Sequence, residues 1–371
     1  MKKQKVSGGL AILLAVTIFL ISCKNNPAVL FSSDAIQYTM PSEENRHQGT
    51  WLQWPHNYTY SDHVERMEVT FIEIARALHT GEEVYIVVYD AVEQERVSTL
   101  LRHEGLDMSK VDFFVWKTDD VWSRDNGPVF TYDNSGQLVV QDWGFNGWGR
   151  KAPYKNCDKI PRKVASALDI PLVNVDMVNE GGSIEIDGKG TLMAKRSSIL
   201  NPNRNPGWTQ EDVESYFKTY LGVTHFIWLE GVAGYEITDD HIDSTARFVH
   251  GHTIVTHIAA NADPQEHAIL RQASNANGKP YNIVGLPLTK NNLPGTSNKG
   301  IYLNFYVGNE VVLVPHFNDP NDEIAKSILQ SIYPNRAVVG IPTVELGIDG
   351  GGVHCVTQQQ PASKTVNCRG N

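Results

Sequence analysis

Residues 91–128 have the sequence AVEQERVSTLLRHEGLDMSKVDFFVWKTDDVWSRDNGP. The spacing of apolar residues over 91–103 predicts a helix, and the apolar run at 111–116 predicts a short strand. A polar loop, WSRDNGP at 122–128, follows the strand. The stretch therefore predicts one α/β unit that ends by presenting charged side chains on a loop.

The same order of elements recurs along the chain, and it predicts five such units past Pro41. Thr209 suits the N-cap of its helix, and Asp212 supplies an acidic residue to the first turn. The later helix and strand pairs are predicted at 160–168 with 172–175, 209–221 with 225–229, 263–273 with 281–286, and 319–333 with 337–341. The polar segments after these strands contain NEGG at 179–182, DDHID at 239–243, YLNF at 302–305 and GGGVHC at 350–355.

The even spread of these polar segments bears on the architecture. A doubly wound sheet binds its ligand mainly at one switch point, whereas units closed into a ring bring equivalent loops together at one end. No low-complexity linker divides positions 51 and 361. We therefore predict an α/β fold with a single catalytic domain over residues 41–361, followed by a short tail at 362–371.

The composition narrows the class of ligand. The chain has 371 residues and a formal net charge of −10, which argues against nucleic-acid binding and favours cationic ligands. Hydrophobic residues make up 41% and charged residues 20%, values typical of globular proteins rather than of collagen-like, disordered or multi-span membrane chains.

The first 22 residues resemble a bacterial lipoprotein signal peptide. Basic residues precede an apolar run that is short for a membrane span, and the run ends at Leu20-Ile21-Ser22-Cys23. Cys23 is the predicted lipidation site, and residues 23–40 are the predicted tether of an extracytoplasmic, membrane-anchored protein. The alternative is an ordinary helix at the terminus, but residues 24–27 do not continue a helical pattern.

Cys355 is the candidate nucleophile. It follows three glycines, which allow close approach of the backbone to a substrate and suit the presentation of a thiolate at the floor of a cleft. The alternatives are a buried, inert thiol, or a phosphate loop, for which the required Gly-Lys-Ser/Thr is missing. The other two cysteines, Cys157 and Cys368, either pair in an oxidising compartment or stay free.

His241 and Asp243 alternate on a segment predicted to be extended, so both side chains are expected on one face. A second interpretation groups His241 with His250, His252 and His257 as metal ligands, although their spacing fits no standard zinc signature.

Two further carboxylates lie in the polar loops. Asp125 occupies a turn-forming sequence that is able to aim it inward, and Glu180 precedes two glycines. Their alternative is ordinary exposed turn residues. Four aromatic residues are candidates to wall the pocket, or else to pack in the core: Trp122, Trp143, Phe145 and Trp148.

Taken together, six ordered motifs resemble the agmatine deiminase and bacterial peptidylarginine deiminase family. They are WLQWPHN at 51–57, WSRDNGP at 122–128, NEGGS at 179–183, NPNRNP at 201–206, HID at 241–243 and GGGVHCVTQQQP at 350–361. The resemblance implies the pentein fold, a pseudo-fivefold α/β propeller. It also implies hydrolysis of guanidines to ureido compounds and ammonia without a metal or organic cofactor.

The resemblance also implies roles for matching residues. Cys355 is the nucleophile, and His241 is the general acid and base. Asp125 and Asp243 bind the guanidinium nitrogens, and Glu180 orients His241 or balances its charge. Asn304 resembles the family's asparagine near the nucleophile, and Trp122 is assigned to substrate binding. One position departs from the family, because Asp240 stands where related sequences often have glycine.

Agmatine is the substrate that the resemblance favours, because DWGFNGWG at 142–149 is similar to the agmatine-specific branch. The peptidylarginine branch has a pair of arginines here to bind a carboxylate, whereas this chain has only Arg150 nearby. Peptidyl-arginine remains the alternative substrate, which export would suit. Two other classes stay open, a solute-binding lipoprotein for cationic guanidines and a metal hydrolase. The predicted partners are a small guanidine and, through Cys23, a membrane; the oligomeric state is open.

Overall fold

Five sheets in the computed structural model, which describes residues 37–363, share one connection pattern. In each, an antiparallel strand pair is followed by a helix and then by a third strand parallel to the second. The first sheet gains a fourth strand, and a small two-stranded hairpin stands apart.

The strands have the following bounds: β1 His47–Gln53, β2 Glu83–Val88, β3 Val111–Val115, β4 Val129–Tyr132, β5 Leu138–Asp142, β6 Leu172–Asn174, β7 Ile184–Ile186, β8 Thr191–Lys195, β9 His225–Leu229, β10 Ala246–Val249, β11 Thr253–His257, β12 Asn282–Leu286, β13 Leu288–Asn292, β14 Lys299–Ile301, β15 Tyr306–Val307, β16 Val311–His316, β17 Ala337–Pro342 and β18 Gln358–Pro361. The sheet orders are β18-β1-β2-β3, β4-β5-β6, β7-β8-β9, β10-β11-β12 and β15-β16-β17, with β13-β14 as the hairpin.

The helices are α1 Asn57–Tyr60, α2 Val64–Leu78, α3 Ala91–His103, α4 Ser123–Asn126, α5 Gly147–Arg150, α6 Ile160–Ala167, α7 Arg196–Ile199, α8 Gln210–Leu221, α9 Pro264–Gln272, α10 Asp322–Ile332 and α11 Val344–Ile348. Short 3-10 turns occupy Met108–Lys110, Cys157–Lys159, Gly181–Ser183, Ile242–Ser244 and His354–Val356. The crossover helices of the five sheets are α2, α6, α8, α9 and α10.

The core lies between each sheet and its crossover helix. In the first unit, Met67, Phe71 and Ile74 of α2 are fully buried in one apolar cluster with Leu52 of β1 and Ile86 of β2. Full burial of such a side chain contributes about 1.5–3 kcal/mol. Strand β2 is apolar at successive positions rather than alternating, as expected for a parallel strand covered on both faces.

The chain ends complete the first unit. The C-terminal strand β18 pairs antiparallel with β1, placing Trp51 opposite Gln358 and His47 opposite Pro361. The first sheet therefore contains residues from both ends of the described chain. This pairing corrects our grouping of the repeat: residues 47–88 supply the first unit, and the segment 91–115 adds a helix and a strand to it.

The predicted helices and strands otherwise lie within a few residues of the observed ones. Helix α10 begins at Asp322 instead of 319 because Asp319 forms a turn, accepting hydrogen bonds from the amides of Lys290, Asn291 and Asn321. Thr209 caps α8 as predicted, in a reciprocal capping box with Asp212.

The folded unit begins slightly before the predicted boundary at Pro41. The backbone of Thr39 hydrogen-bonds to Tyr132, and the amide of Met40 donates to the carbonyl of Leu221. At the other end, the amide of Ala362 donates to the carbonyl of Arg46. Thr39 and Met40, which we predicted to be in the tether, and Ala362, which we predicted to be in the tail, are therefore hydrogen-bonded to the folded domain. The signal peptide, Cys23 and Cys368 lie outside the described residues.

Within residues 37–363, no helix combines the length and apolar character needed to cross a membrane.

Candidate active site

The five polar loops lie against one another. Each loop immediately precedes the first strand of a unit, and neighbouring loops contact one another in chain order. The contacts are Asp125 with the amide of Gly182 (3.0 Å), Glu180 with His241 (3.5 Å), Asp243 with Asn304 (3.1 Å), Asn304 with the amide of Cys355 (3.2 Å), and Ser123 with the carbonyl of Val356 (2.6 Å). The last contact returns to the first loop, so the loops form a closed cycle.

The structure therefore brings together the predicted residues Cys355, His241, Asp125, Asp243, Glu180 and Asn304. Except for Cys355, whose residue is partly exposed, all of them are buried. These positions span much of the chain, and only the ring arrangement makes them neighbours.

The prediction that His241 and Asp243 lie on one extended segment is wrong. His241 has extended backbone, but the chain then enters the 3-10 turn Ile242–Ser244. The amide of Thr245 donates to the carbonyl of Ile242 at 2.8 Å and closes this turn. Both side chains nevertheless enter the same site.

Asp125 is held from two sides. Its Oδ1 accepts the amide of Gly182 at 3.0 Å, and its Oδ2 accepts the indole N–H of Trp148 at 2.9 Å. Burial raises the pKa of Asp125 to about 6, with Asp243 and Glu180 adding to the shift and His241 opposing it. A bound cation would favour its ionised form.

Gly182 lies at the centre of the site. A Cβ atom added here would come within 2.7 Å of Asp125 Oδ1, 2.8 Å of His241 Nδ1 and 3.2 Å of Asp243 Oδ2. The absence of a side chain is therefore what lets these three groups converge.

His241 lies between two carboxylates. Its Nδ1 is 3.6 Å from Asp125 Oδ1, and its Nε2 is 3.5 Å from Glu180 Oε2. Burial alone would lower the pKa of His241, but the surrounding carboxylates outweigh it and raise the pKa to about 9. The imidazole is accordingly protonated at neutral pH and is suited to act first as a proton donor.

Arg204 holds the carboxylate of Glu180 in place. It belongs to the motif NPNRNP at 201–206, but we predicted no role for it. Arg204 Nε donates to Glu180 Oε1 at 2.8 Å, and its Nη1 reaches Asp239 Oδ2 at 2.5 Å. Burial would raise the pKa of Glu180, but His241 and Arg204 hold it below its usual value. Glu180 thus presents a charged oxygen to His241.

Asp243 borders the thiol. Its Oδ2 lies 3.7 Å from Cys355 Sγ and accepts hydrogen bonds from Asn304 Nδ2 at 3.1 Å and from His354 Nδ1 at 2.8 Å. Burial opposes ionisation of Asp243, but His354, His241 and Arg247 together lower its pKa. We did not predict a role for His354, because its position directly before Cys355 is all that the sequence shows of it.

The environment of Cys355 disfavours its thiolate in the free protein. Burial, and then the charges of Asp243 and Asp125, raise the pKa of this thiol well above its usual range. Its amide is fixed by Asn304 Oδ1. The sulfur is not sealed in an apolar core, because it faces two carboxylates.

The predicted aromatic wall is partly wrong. Trp148 reaches Asp125, and Trp122 lies against Gly351, where an added Cβ would come within 2.3 Å of its ring. Phe145 packs edge-on against Trp148. Trp143 instead packs in the core against Phe217, and its indole N–H donates to Gln141 Oε1 at 3.0 Å.

The histidines proposed as a metal cluster are dispersed. His250 is exposed beside Glu44, His252 lies near Asn275, and His257 is bonded to the carbonyl of Ser244. Among residues 37–363, no group of three or more His, Cys, Asp or Glu side chains has the geometry to hold a metal ion.

The sequence matches a family model described as Porphyromonas-type peptidyl-arginine deiminase over residues 39–361. The chain belongs to this family. A provisionally named agmatine deiminase of Streptomyces coelicolor is 35% identical over 343 residues, covering 87% of this chain and 99% of that protein. These matches confirm the family resemblance that the motifs predicted.

Solved structures agree. The agmatine deiminase of Enterococcus faecalis has a TM-score of 0.80 at 25% identity, covering 88% of this chain and 96% of its own. The C. jejuni agmatine deiminase with substrate bound has a TM-score of 0.80 at 25% identity, covering 90% of this chain and 99% of its own. The predicted pentein fold is confirmed, and the chain is an enzyme of the deiminase class.

The departure of this deiminase-family chain at Asp240 has a local explanation. Asp240 has a φ of 75°, a conformation that favours glycine but that aspartate tolerates. Its carboxylate accepts from Lys195 Nζ at 2.7 Å and from the amide of Val232 at 3.1 Å. The ion pair stabilises the backbone that positions His241.

Proposed function

We propose that this protein hydrolyses agmatine to N-carbamoylputrescine and ammonia. The observation that carries the proposal is the convergence of the Cys355 thiol, the His241 imidazolium and the Asp125 and Asp243 carboxylates in one buried site. A guanidinium is planar, permanently charged and rich in N–H donors, so paired carboxylates match both its charge and its hydrogen bonds.

Binding of the cation also activates the nucleophile. In the free protein the pKa of Cys355 is raised by burial and by Asp243 and Asp125. A guanidinium between these carboxylates neutralises their charge and adds a positive charge beside the sulfur. The thiolate, which is the reactive form, is therefore favoured only when the substrate is in place.

The chemical steps use groups already in position. The Cys355 thiol loses its proton to solvent once the substrate is bound, and the resulting thiolate adds to the central guanidine carbon. His241 then donates its proton to the departing nitrogen, so that ammonia leaves and a thiouronium adduct remains. Neutral His241 then takes a proton from water, whose oxygen adds to the same carbon. Breakdown of this second adduct releases the ureido product and the thiolate, and the hydroxyl proton goes to solvent.

Two glycines favour agmatine over a substrate that carries a carboxylate. A Cβ at Gly147 would come within 2.5 Å of the carbonyl oxygen of Ala152, and one at Gly149 within 2.4 Å of Asn203. Both glycines have positive φ, 69° and 83°. A second arginine beside the exposed Arg150 would therefore require the backbone at Ala152 to move if it stood at position 147, and the side chain of Asn203 to move if it stood at position 149.

A side-by-side ammonia assay tests the proposal. Purified protein is offered agmatine, free arginine, and peptides with C-terminal or internal arginine, with Cys355→Ser as the matched inactive control. Turnover of agmatine at the highest kcat/KM is expected. Preference for arginine peptides would instead support peptidyl-arginine as the substrate, as the family description suggests. Binding of agmatine without ammonia release would favour a solute-binding protein.

We also propose that the protein is an extracytoplasmic lipoprotein anchored through Cys23. The support is the basic, apolar and Leu-Ile-Ser-Cys pattern of the first 23 residues. Mass spectrometry of the membrane fraction is expected to find a diacylated N-terminal cysteine. In Cys23→Ser the lipid is expected to be absent; a Cys23→Ser protein processed and anchored like the wild type would contradict the proposal.

A further inference from the structure

A segment next to the predicted tether reaches the active site through Glu43, which contacts the neighbour of an active-site residue rather than the site itself. Ser42 and Asn45 form a tight turn, in which the amide of Asn45 donates to the carbonyl of Ser42 at 3.1 Å. The turn directs Glu43 inward, where its Oε1 accepts the amide of Val307 at 2.8 Å. The Glu43 side chain is only 10% exposed.

The other oxygen of Glu43 meets two guanidinium groups and one imidazole. Glu43 Oε2 lies 2.9 Å from His354 Nε2, 3.0 Å from Arg247 Nη2 and 3.3 Å from Arg124 Nη2. All three partners are buried. Burial would raise the pKa of Glu43, but Arg247, His354 and Arg124 hold it well below its usual value.

His354 joins this carboxylate to the catalytic loop. Its Nε2 faces Glu43, and its Nδ1 lies 2.8 Å from Asp243 Oδ2. The His354 side chain is 2% exposed, so water does not compete for either nitrogen. Because ionised carboxylates only accept hydrogen bonds, two charged carboxylates in these positions require both ring nitrogens of His354 to donate.

We propose, resting on the proposed function, that Glu43 and His354 are positioning residues: Glu43 keeps His354 doubly protonated, and His354 keeps Asp243 ionised and aimed at the guanidinium. Other charged groups surround these residues. Glu185, Arg247 and Arg124 lie around His354, and His241, Asp125 and Arg247 lie around Asp243. His354 contacts Asp243 directly, at the same oxygen, Oδ2, that faces the Cys355 sulfur.

The consequence is chemical as well as structural. A protonated Asp243 would have one oxygen occupied by a proton and would lose its attraction for the cation. Without its charge, Asp243 would also no longer raise the pKa of Cys355 in the empty site, where Asp243 Oδ2 lies 3.7 Å from the sulfur. The dependence of the thiol on bound substrate would therefore weaken.

Nitrogen-15 NMR of histidine-labelled protein tests the protonation directly and needs no turnover. Both ring nitrogens of His354, assigned by their loss in His354→Gln, are expected to carry a proton from pH 6 to 8. In Glu43→Gln one of these protons is expected to be lost at neutral pH. A single protonated nitrogen in the wild type, or no change in Glu43→Gln, would overturn the proposal.

Agmatine affinity measured by calorimetry between pH 5 and 8 tests the effect on Asp243. In a Cys355→Ser background, His354→Gln or Glu43→Gln is expected to make affinity fall more steeply than about tenfold per pH unit below pH 6, because Asp243, a buried carboxylate that has lost its cationic neighbour, then takes up a proton in addition to Asp125. Glu44→Gln is the matched control, since Glu44 instead binds Tyr333 and the amide of His250.

A purely structural role predicts a different result. It would lower affinity equally at every pH in parallel with a lower melting temperature, and that outcome would overturn the proposal. Failure of agmatine to bind Cys355→Ser at any pH would refute the proposed function instead. The NMR result would then decide the present inference by itself.

Discussion

Burial favours the neutral form of a carboxyl group, yet neighbouring groups keep most of the carboxylates in this site ionised. Asp125 is the exception among the carboxylates, because burial and its acidic neighbours raise its pKa to about 6. Glu180 and Asp243 each have a cation at hydrogen-bond distance behind them, and their pKa values are lowered. Asp125 has the indole of Trp148 instead. At the residue scale, Asp125 is therefore the carboxylate most easily protonated on acidification.

Agmatine binding should consequently depend on the charge of Asp125. In Cys355→Ser, affinity is expected to be full above pH 7 and to fall as the pH drops through about 6, where Asp125 takes up a proton. Each further pH unit should weaken binding about tenfold, since one proton competes with one cation. Calorimetry over pH 5–8 measures this, and a constant affinity across that range would show that Asp125 does not hold the cation.

At the scale of elements, the active-site side chains lie on very short pieces of structure. The helix α4 and the 3-10 turns Gly181–Ser183, Ile242–Ser244 and His354–Val356 each connect directly to the first strand of a unit. A turn of this length places neighbouring residues in fixed directions, and packing against the next turn removes the remaining freedom. The precision of the site therefore comes from turn-to-turn contact rather than from long helices.

Gly182→Ala tests this packing. The new methyl group would overlap Asp125 and His241, so we expect kcat/KM to fall about 100-fold through displacement of the reacting groups. Gly105→Ala is the control for backbone cost, because Gly105 has a φ of 81° and open space around its Cβ. It should lose about 1 kcal/mol of stability and keep its turnover. Equal kinetics for Gly182→Ala and wild type would contradict the packing argument.

The capping box of α8 gives a prediction about stability alone. Thr209 is exposed and its side chain accepts the amide of Asp212. Thr209→Ala should lower the free energy of unfolding by about 1 kcal/mol, as measured by urea denaturation, with KM unchanged. A Thr209→Ser variant retains the hydroxyl and should stay close to wild type. A shift in KM would mean that α8 communicates with the site.

The elements show what local sequence determines. The bounds of α8 and β9 were predicted closely because apolar spacing and end signals such as Thr209 are local properties. Helix α2 was left out of the repeat although its apolar face is a local pattern. Strand β18 was not predicted, because four residues such as Gln358–Pro361 have no apolar periodicity of their own. Its structure depends on pairing with β1, more than 300 residues away in sequence.

For the whole molecule, pairing of β18 with β1 joins the two ends of the described chain. This strand is also the direct continuation of the turn that carries Cys355. Trp51 Nε1 donates to Gln360 Oε1 at 3.0 Å, and the side chain of Gln358 reaches the carbonyl of Pro128 in the next unit. Closure of the fold and placement of the nucleophile therefore depend on the same strand.

A truncation after Thr357 should prevent folding, because it leaves the edge of β1 unpaired and removes these buried contacts. The matched control ends at Ser363 and retains every strand found within residues 37–363. Circular dichroism melting is expected to show a cooperative transition for the control and none for the shorter chain. A shorter chain that melts like the control would show that closure is dispensable.

The site itself was predictable only where the motifs are distinctive. Cys355, His241, Asp125 and Asp243 stand in loops with an unusual polar composition, and the ring arrangement supplies their proximity. Glu43, Arg204, Arg247 and His354 were not predicted, because each is an ordinary charged residue in sequence. Their role depends on distances across the centre of the ring that no local pattern encodes.

The central claim is that a guanidinium binds between Asp125 and Asp243 with its carbon facing Cys355. A crystal structure of Cys355→Ser with agmatine measures this directly. We expect the guanidinium nitrogens on both carboxylates and the central carbon roughly 3–3.5 Å from the serine oxygen. Agmatine bound elsewhere, or turned so that its amine meets these carboxylates, would contradict the account.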